Sequence, residues 1–273
     1  MDVVTTKADL RAARAGLSGP VGFVPTMGFL HAGHMSLVAR SRAECTTTLA
    51  SIFVNPTQFG PNEDLDAYPR DMPRDLAMLE AAGVDLVFTP TPEVMYDRPT
   101  DFGVDPGTLG AVLMGALRPG HFRGVATVVT KLFNIVQPDR AYFGEKDFQQ
   151  LAVIRAMVDA LDQSVKIIGC PTVREPDGLA MSSRNARLTP AHRAQAKVLH
   201  RAMEAAAHMT GTVEARRDRI RAMLAEAPDG EVESIDICDA ATLKPLAGDP
   251  TGPAVILLAV RFGEVLLIDQ RVF

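Results

Sequence analysis

Cysteine is scarce and scattered. Cys45, Cys170 and Cys238 stand far apart with no C-x-x-C pair. An odd set of this kind argues against a disulfide framework and suits a reducing cytosol. Basic blocks are missing as well: 28 Lys and Arg face 33 Asp and Glu, a net charge of −5. A general nucleic-acid binder needs a patch that neutralises phosphates, so nucleic acid is not an expected partner. Long apolar runs are also lacking. The longest, Ala254–Val260, falls far short of the roughly 20 residues that cross a bilayer, so no membrane partner is expected. Residues 1–10 carry acids and no apolar stretch, unlike a secretory leader. The expected location is the cytoplasm.

What is present is globular. The chain is 47% hydrophobic and 22% charged, and 273 residues bury about three quarters of their unfolded surface without staples. Apolar β-branched runs alternate with helical patterns. Strands are expected at residues 21–26, 47–54, 84–89, 140–143 and 165–169, and helices at 34–44, 71–82, 125–136 and 148–161. That alternation predicts a parallel sheet covered on both faces, with ligands bound beyond the carboxyl ends of its strands. Near Thr189 the character changes to alanine-rich helices over 190–209 and 213–227. Extended stretches follow at 232–238, 254–261 and 264–268, the last two joined by a hairpin at Phe262-Gly263. The expected division is a large α/β domain over residues 1–186 and a small α+β domain over 187–273 that closes over the site.

Four segments carry chemistry. The first is Phe23–Val38, where a strand ends at Thr26, Gly28 and Gly33 open a loop, and a helix starts near His34. A helix N-terminus offers unpaired N–H groups and about half a positive charge, a seat for phosphate. His31 and His34, three apart at that mouth, are placed to donate to it. Three rival readings stand beside this one. Gly28-x-x-x-x-Gly33 has P-loop spacing, but the lysine and hydroxyl that should follow are replaced by His34 and Met35. Two histidines are half a zinc site, yet no further ligand follows at suitable spacing. Surface histidines capping a helix are the plainest reading.

The second segment, Ser51–Gly60, puts the neutral amides of Asn55 and Gln58 at a strand end, suited to hydroxyls and carboxylates; turn chemistry explains it equally well. Residues 61–70 after it read as a polar flap carrying Tyr68. The third, Ala141–Gln150, sets Lys146 at a helix start, a mismatch with the helix dipole unless an anion sits there. Asp147 is a plausible N-cap, and Gln150 shares a face with Lys146. The fourth is Met181-Ser-Ser-Arg-Asn185, two hydroxyls and a guanidinium suited to phosphates, or else a domain linker. Arg118, His121 and Arg123 precede a long helix and face either phosphates or solvent.

His31-Ala-Gly-His34 and Met181-Ser-Ser-Arg184 resemble the two signature segments of class I aminoacyl-tRNA synthetases and HxGH nucleotidyltransferases, which bind ATP on a Rossmann-like sheet. The fuller set is more specific. Residues 24–34, 51–59, 120–124, 143–150 and 181–185, in that order, resemble the pantothenate synthetase (pantoate–β-alanine ligase) family. The likeness is close over about 20–190 and looser beyond.

It implies an ATP-dependent ligase that activates (R)-pantoate as an acyl-adenylate and transfers it to β-alanine. By that resemblance Met27, Gly28, Phe29, Leu30, His31, Ala32, Gly33 and His34 line the ATP site, with His34 the proton donor and His31 assisting. Gly144, Glu145, Lys146, Asp147, Val173, Met181, Ser182, Ser183 and Arg184 complete it, with Lys146, Ser182, Ser183 and Arg184 stabilising phosphate charge. Gln58 and Gln150 hold pantoate, and Gln58 also meets β-alanine. Magnesium accompanies ATP, its ligands unassigned, with Asp71 and Asp75 the acids near in sequence. The family is cytoplasmic and commonly homodimeric. One departure is Met114, where relatives often carry Glu. A nucleotidyltransferase that keeps the nucleotide in its product, and a nucleotide-responsive binding module, are the competing functions; a tRNA synthetase would need an anticodon-reading domain for which the chain has little room.

Overall fold

The computed structural model describes residues 1–61, 63–98 and 101–273. Six strands, β1 (Asp2–Val4), β2 (Val21–Thr26), β3 (Thr47–Ile52), β4 (Leu86–Phe88), β5 (Arg140–Gly144) and β6 (Lys166–Cys170), form one sheet in the order β1-β4-β3-β2-β5-β6. Every pairing is parallel. The chain steps outward from β2 through β3 to β4, then returns to build the other side from β5. The order therefore reverses between β2 and β5, the kind of switch point beyond which such sheets bind ligands.

Alternation along the strands explains why both faces are covered. Val21, Phe23, Leu49, Phe88, Ala141 and Phe143 pack with Leu10 and the helices His121–Val136 and Phe148–Ala160. Their neighbours Val24, Ala50, Ile52, Val87 and Tyr142 pack with the helices Ala32–Glu44 and Met72–Ala81. Near-continuous apolar strands result, as a doubly covered parallel sheet requires.

The first strand and the helix Lys7–Ala15, capped by Thr6, were not expected. Three edge residues with two exposed side chains leave almost no periodic signal. The long helix starts at His121, not 125, because Gly124 lies inside it rather than in a loop. Its missing Cβ would otherwise stand 2.4 Å from the Thr57 carbonyl oxygen and 2.6 Å from Gln58 Cα.

Three antiparallel strands make a second sheet: β7 (Gly230–Asp239), β8 (Ala254–Phe262) and β9 (Val265–Val272). Phe262 pairs with Val265 across a two-residue loop whose first position, Gly263, has φ +58°, so the strand runs through Phe262 and the turn is Gly263-Glu264. Helices Pro190–Ala196, Val198–His208 and Val213–Leu224 contribute to its core, which includes Leu199, Met203, Ile220, Ile256 and Phe262. The expected single helix over 190–209 is interrupted at Lys197, whose backbone stays near helical (φ −59°, ψ −17°).

The chain divides into two compact units, Met1–Gly144 with Gln150–Pro171, and Glu145–Gln149 with Thr172–Phe273. This differs from the boundary expected at 186. Residues 172–186 side with the C-terminal sheet: Arg174 donates to both carboxylate oxygens of buried Asp269 at 2.7 and 3.0 Å and bridges to Ala180. Those partners are distant in sequence and invisible to a local reading.

Phe23 is fully buried, with its ring edge-on to Phe133 at 6.4 Å. Phe23→Ala should lower unfolding free energy by about 3–5 kcal/mol, read from the denaturant midpoint; a loss below about 1 kcal/mol would show that this layer of the core repacks freely.

Candidate active site

The loop after β2 turns from strand to helix within a few residues. Gly28 takes φ +86° and Phe29 φ +49°. The Thr26 hydroxyl donates to the Ser51 carbonyl at 2.7 Å, and Gly28 N–H donates to the Thr26 oxygen at 3.3 Å. Beyond, Phe29 N–H and Leu30 N–H donate to the two oxygens of Asp75 at 2.6 and 2.7 Å. Leu30 is buried in the core beside Leu37. Ala32 and Gly33 then open the helix Ala32–Glu44.

The two imidazoles close that helix end reciprocally. Gly33 N–H donates to His31 Nδ1 at 3.1 Å, and His31 N–H donates to His34 Nδ1 at 3.3 Å. The rings lie 4.0 Å apart, tilted by 43°. Because both Nδ1 atoms accept, a neutral ring carries its proton on Nε2. The plain reading of helix-capping histidines is thus met, and the same bonds fix which nitrogen of a neutral ring carries the proton. No acid occupies the first turn, so the positive end of the helix dipole is not neutralised by a carboxylate of its own.

Gln58 ends a single turn of tighter helix, Pro56–Gln58, capped by Asn55. Its side-chain oxygen accepts from Asn55 Nδ2 at 3.1 Å, and its Nε2 donates to Met27 Sδ at 3.1 Å, which joins the second segment to the start of the first. Asn55, only 1% exposed, is braced in turn by Tyr96 Oη at 2.7 Å and the Gly124 carbonyl at 3.3 Å. Burial pushes the Tyr96 hydroxyl above its ordinary pKa, with a hydrogen bond from Thr57 opposing.

The Gln58 main chain is held from behind. His121 Nδ1 donates to its carbonyl oxygen at 2.8 Å, leaving Nε2 to accept from Arg118 at 3.2 Å. Arg118 also grips Glu63 with two bonds of 2.8 and 2.5 Å, so it faces protein partners from the 60–70 segment. The sequence places Arg118 and His121 against either phosphate or solvent; neither spacing nor residue type announces a main-chain partner about 60 positions away. Tyr68 is buried against Phe59. Met114 opens a short helix and packs against the core. Gly144 ends β5, and Gln150 lies in the first turn of the helix Phe148–Ala160.

The other segments belong to the second unit. Glu145, Lys146 and Asp147 form one tight turn that packs against β9, with Lys146 Nζ 3.9 Å from Asp147. Asp147 ends this turn and immediately precedes the helix Phe148–Ala160. The turn Ser183–Arg187 packs on the same strand. Ser182 caps it by accepting from Arg184 N–H at 3.2 Å, and Ser183 is buried. Met181 N–H donates to the Val173 carbonyl at 3.0 Å. The turns Glu145–Asp147 and Ser183–Arg187 thereby pack on one strand although they come from separate stretches of the chain.

Among the described residues no group of three or more His, Cys, Asp or Glu forms a metal cage, and none of the helices is long and apolar enough to cross a membrane. Cys170 and Cys238 are buried and Cys45 partly so, all as thiols. Burial pushes the Cys238 thiol up to about 11.

Burial alone would raise the Glu63 carboxyl, but the hydrogen bond and charge of Arg118 outweigh it and hold it below the usual range. A depressed carboxylate contributes stability above its unfolded value, near 4.3, and loses it as pH falls through the lower folded value. Glu63→Gln should therefore speed proteolytic nicking within residues 60–70 at pH 7, and the wild type should approach that rate only in acid below the usual glutamate range. Equal rates at pH 7 would show that the Arg118–Glu63 pair does not hold this segment.

Comparison with known proteins agrees over the whole chain. The family profile "Pantoate-beta-alanine ligase" matches residues 2–272. The pantothenate synthetase of Chloroflexus aggregans is 55% identical over 279 residues, 99% of each chain. That of Sinorhizobium medicae is 53% identical, over 100% of this chain and 96% of its own. The crystal structure of pantothenate synthetase from Thermus thermophilus superposes with a TM-score of 0.94 at 49% identity over 99% of both chains. The pantoate-β-alanine ligase of Francisella tularensis, complexed with β-γ ATP and β-alanine, superposes with a TM-score of 0.84 at 33% identity, over 99% of this chain and 97% of that one. With family profile, sequence and fold in agreement from end to end, this chain belongs to the pantoate–β-alanine ligase family of enzymes.

Proposed function

We propose that the protein condenses (R)-pantoate with β-alanine to pantothenate, a coenzyme A precursor, through a pantoyl-adenylate on a Rossmann-like sheet. A pantoate carboxylate oxygen attacks the α-phosphorus of ATP, and the bond to pyrophosphate breaks. The β-alanine nitrogen then attacks the acyl carbon, loses a proton and expels AMP as the amide forms. The observation that carries this reading is the imidazole pair at the end of β2, whose Nδ1 atoms both accept main-chain N–H bonds and so leave Nε2–H as the donor.

His34 then donates to the phosphates as pyrophosphate leaves, assisted by His31. Lys146, Ser182, Ser183 and Arg184 stabilise the charge that develops, a role for donors fixed in place beforehand. Residues 27–34, Gly144–Asp147, the Val173 main chain and Met181 complete the ATP contacts. Gln58 suits pantoate and β-alanine because its amide donor rests on a thioether, a weak acceptor that a substrate oxygen outbids; Gln150 supplies the second amide. The Francisella relative was solved with a nucleotide and β-alanine, which supports the same substrates here. Magnesium enters as part of the ATP substrate, for which the described residues offer no cage of their own. A cytoplasmic homodimer is the assembly that goes with this reading.

The decisive experiment incubates the protein with magnesium-ATP and pantoate, with and without β-alanine, and identifies products by mass. Pyrophosphate and a pantoyl-adenylate should form without the amine, and AMP and pantothenate should accumulate only with it. A product that keeps the nucleotide on a phosphorylated acceptor, or unaltered ATP in every mixture, would overturn the proposal. His34→Ala should slow pyrophosphate release about 10²-fold or more while costing about 1 kcal/mol of stability through the lost cap. Unchanged single-turnover release would remove the donor role.

A further inference from the structure

We infer that Asp75 is a positioning residue for the nucleotide loop, its buried carboxylate fixing the main chain from which His31 and His34 are presented. This deepens the ligase reading and rests on it. Asp75 comes from the first turn of the helix Met72–Ala81, whose N-cap is Asp71. It is 1% exposed. Its two oxygens take one N–H each from consecutive residues, Phe29 at 2.6 Å and Leu30 at 2.7 Å. Bonds to an ionised acceptor are roughly twice as strong as neutral ones, and these join segments 45 and 46 positions apart.

The loop they hold is one the chain would not adopt alone. Gly28 (φ +86°) and the non-glycine Phe29 (φ +49°) are both left-handed, a conformation L side chains resist. A Cβ on Gly28 would stand 3.0 Å from Asp75 Oδ2 and 3.0 Å from Ile52 Cγ2, so the glycine lets loop and carboxylate meet. On the outer side the Arg74 guanidinium lies 5.4 Å from the Phe29 ring centre and 3.8 Å from Asp75 Oδ1. His31, whose N–H and ring close the next helix, follows Leu30 directly. The direction of the helix end is therefore set by the residue that receives the carboxylate.

Two other roles for a buried acid fit less well. A magnesium ligand must reach an ion that arrives with ATP from solvent, whereas this side chain is 1% exposed and turns both oxygens onto main-chain N–H groups. A plain helix-start acid would serve its own helix, whereas these bonds go to another segment.

Asp75→Asn tests the inference, since it keeps shape but turns one acceptor into an N–H₂ group facing a main-chain N–H. In the full-length enzyme, ATP binding by calorimetry should weaken about tenfold or more, and single-turnover adenylate formation should fall by about 10- to 100-fold. KM for pantoate should stay within about twofold of wild type. Asp75→Glu, which keeps the charge one methylene further out, should give an ATP affinity between the two and covers the case in which the asparagine variant fails to fold. Wild-type ATP affinity in either folded variant, equal losses for ATP and pantoate, or a lowered Tm with unchanged kinetics per folded molecule would each overturn the positioning role. The wild-type arm separates the two ideas. ATP binding without adenylate formation defeats the ligase reading while calorimetry still decides on Asp75; no ATP binding at all defeats both.

Discussion

A single carboxylate and two peptide N–H groups decide what the end of β2 looks like. In a parallel sheet every strand must leave by the same edge, and the chain has only a few residues in which to change from extended to helical. Here it does so through two consecutive left-handed residues, Gly28 and Phe29. That route is unfavourable on its own, and it persists because the surroundings over-determine it. Asp75 accepts from the Phe29 and Leu30 main chain, Leu30 adds an apolar anchor in the core, and the reciprocal imidazole cap completes the turn. The head of the helix Ala32–Glu44 is thus tied to a different helix, Met72–Ala81, by two hydrogen bonds as well as by a shared apolar layer.

Gln58 is built on the opposite logic to its neighbour loop. Its main chain is gripped by His121 and Arg118, and Arg118 is itself engaged by Glu63. Its side chain is held lightly, by one amide bond and one contact to sulfur. The main chain is thus fixed more firmly than the tip, whose donor rests on a weak sulfur acceptor. The second unit repeats the theme with a single strand, β9, against which both Glu145–Asp147 and Ser183–Arg187 are packed.

Much of this was legible in the sequence because it is written locally. Alternating apolar runs gave the central strands, the Gly-bearing strand–helix turn gave the histidine segment, and Phe262-Gly263 pointed to the hairpin within one residue. What escaped depends on partners far along the chain. Asp75 stands out in the sequence only, with Asp71, as an acid near the candidate site when magnesium is considered, although its position four before Leu79, on the buried face of its helix, is the available clue. Residues 172–186 looked like the tail of the large domain, because nothing nearby reveals that Arg174 pairs with Asp269. The strand Asp2–Val4 is recognisable only from its register with Leu86–Phe88.

Gly124 shows how such distant constraints shape a sequence. Inside a helix, alanine is the better residue by about 1 kcal/mol, so mutational drift toward a steadier helix favours replacing the glycine. Against the Thr57 and Gln58 main chain, where even a methyl group has no space, that improvement is closed off. The helix gives up intrinsic stability so that two stretches of backbone can touch, and the pair must shift, if at all, as one piece.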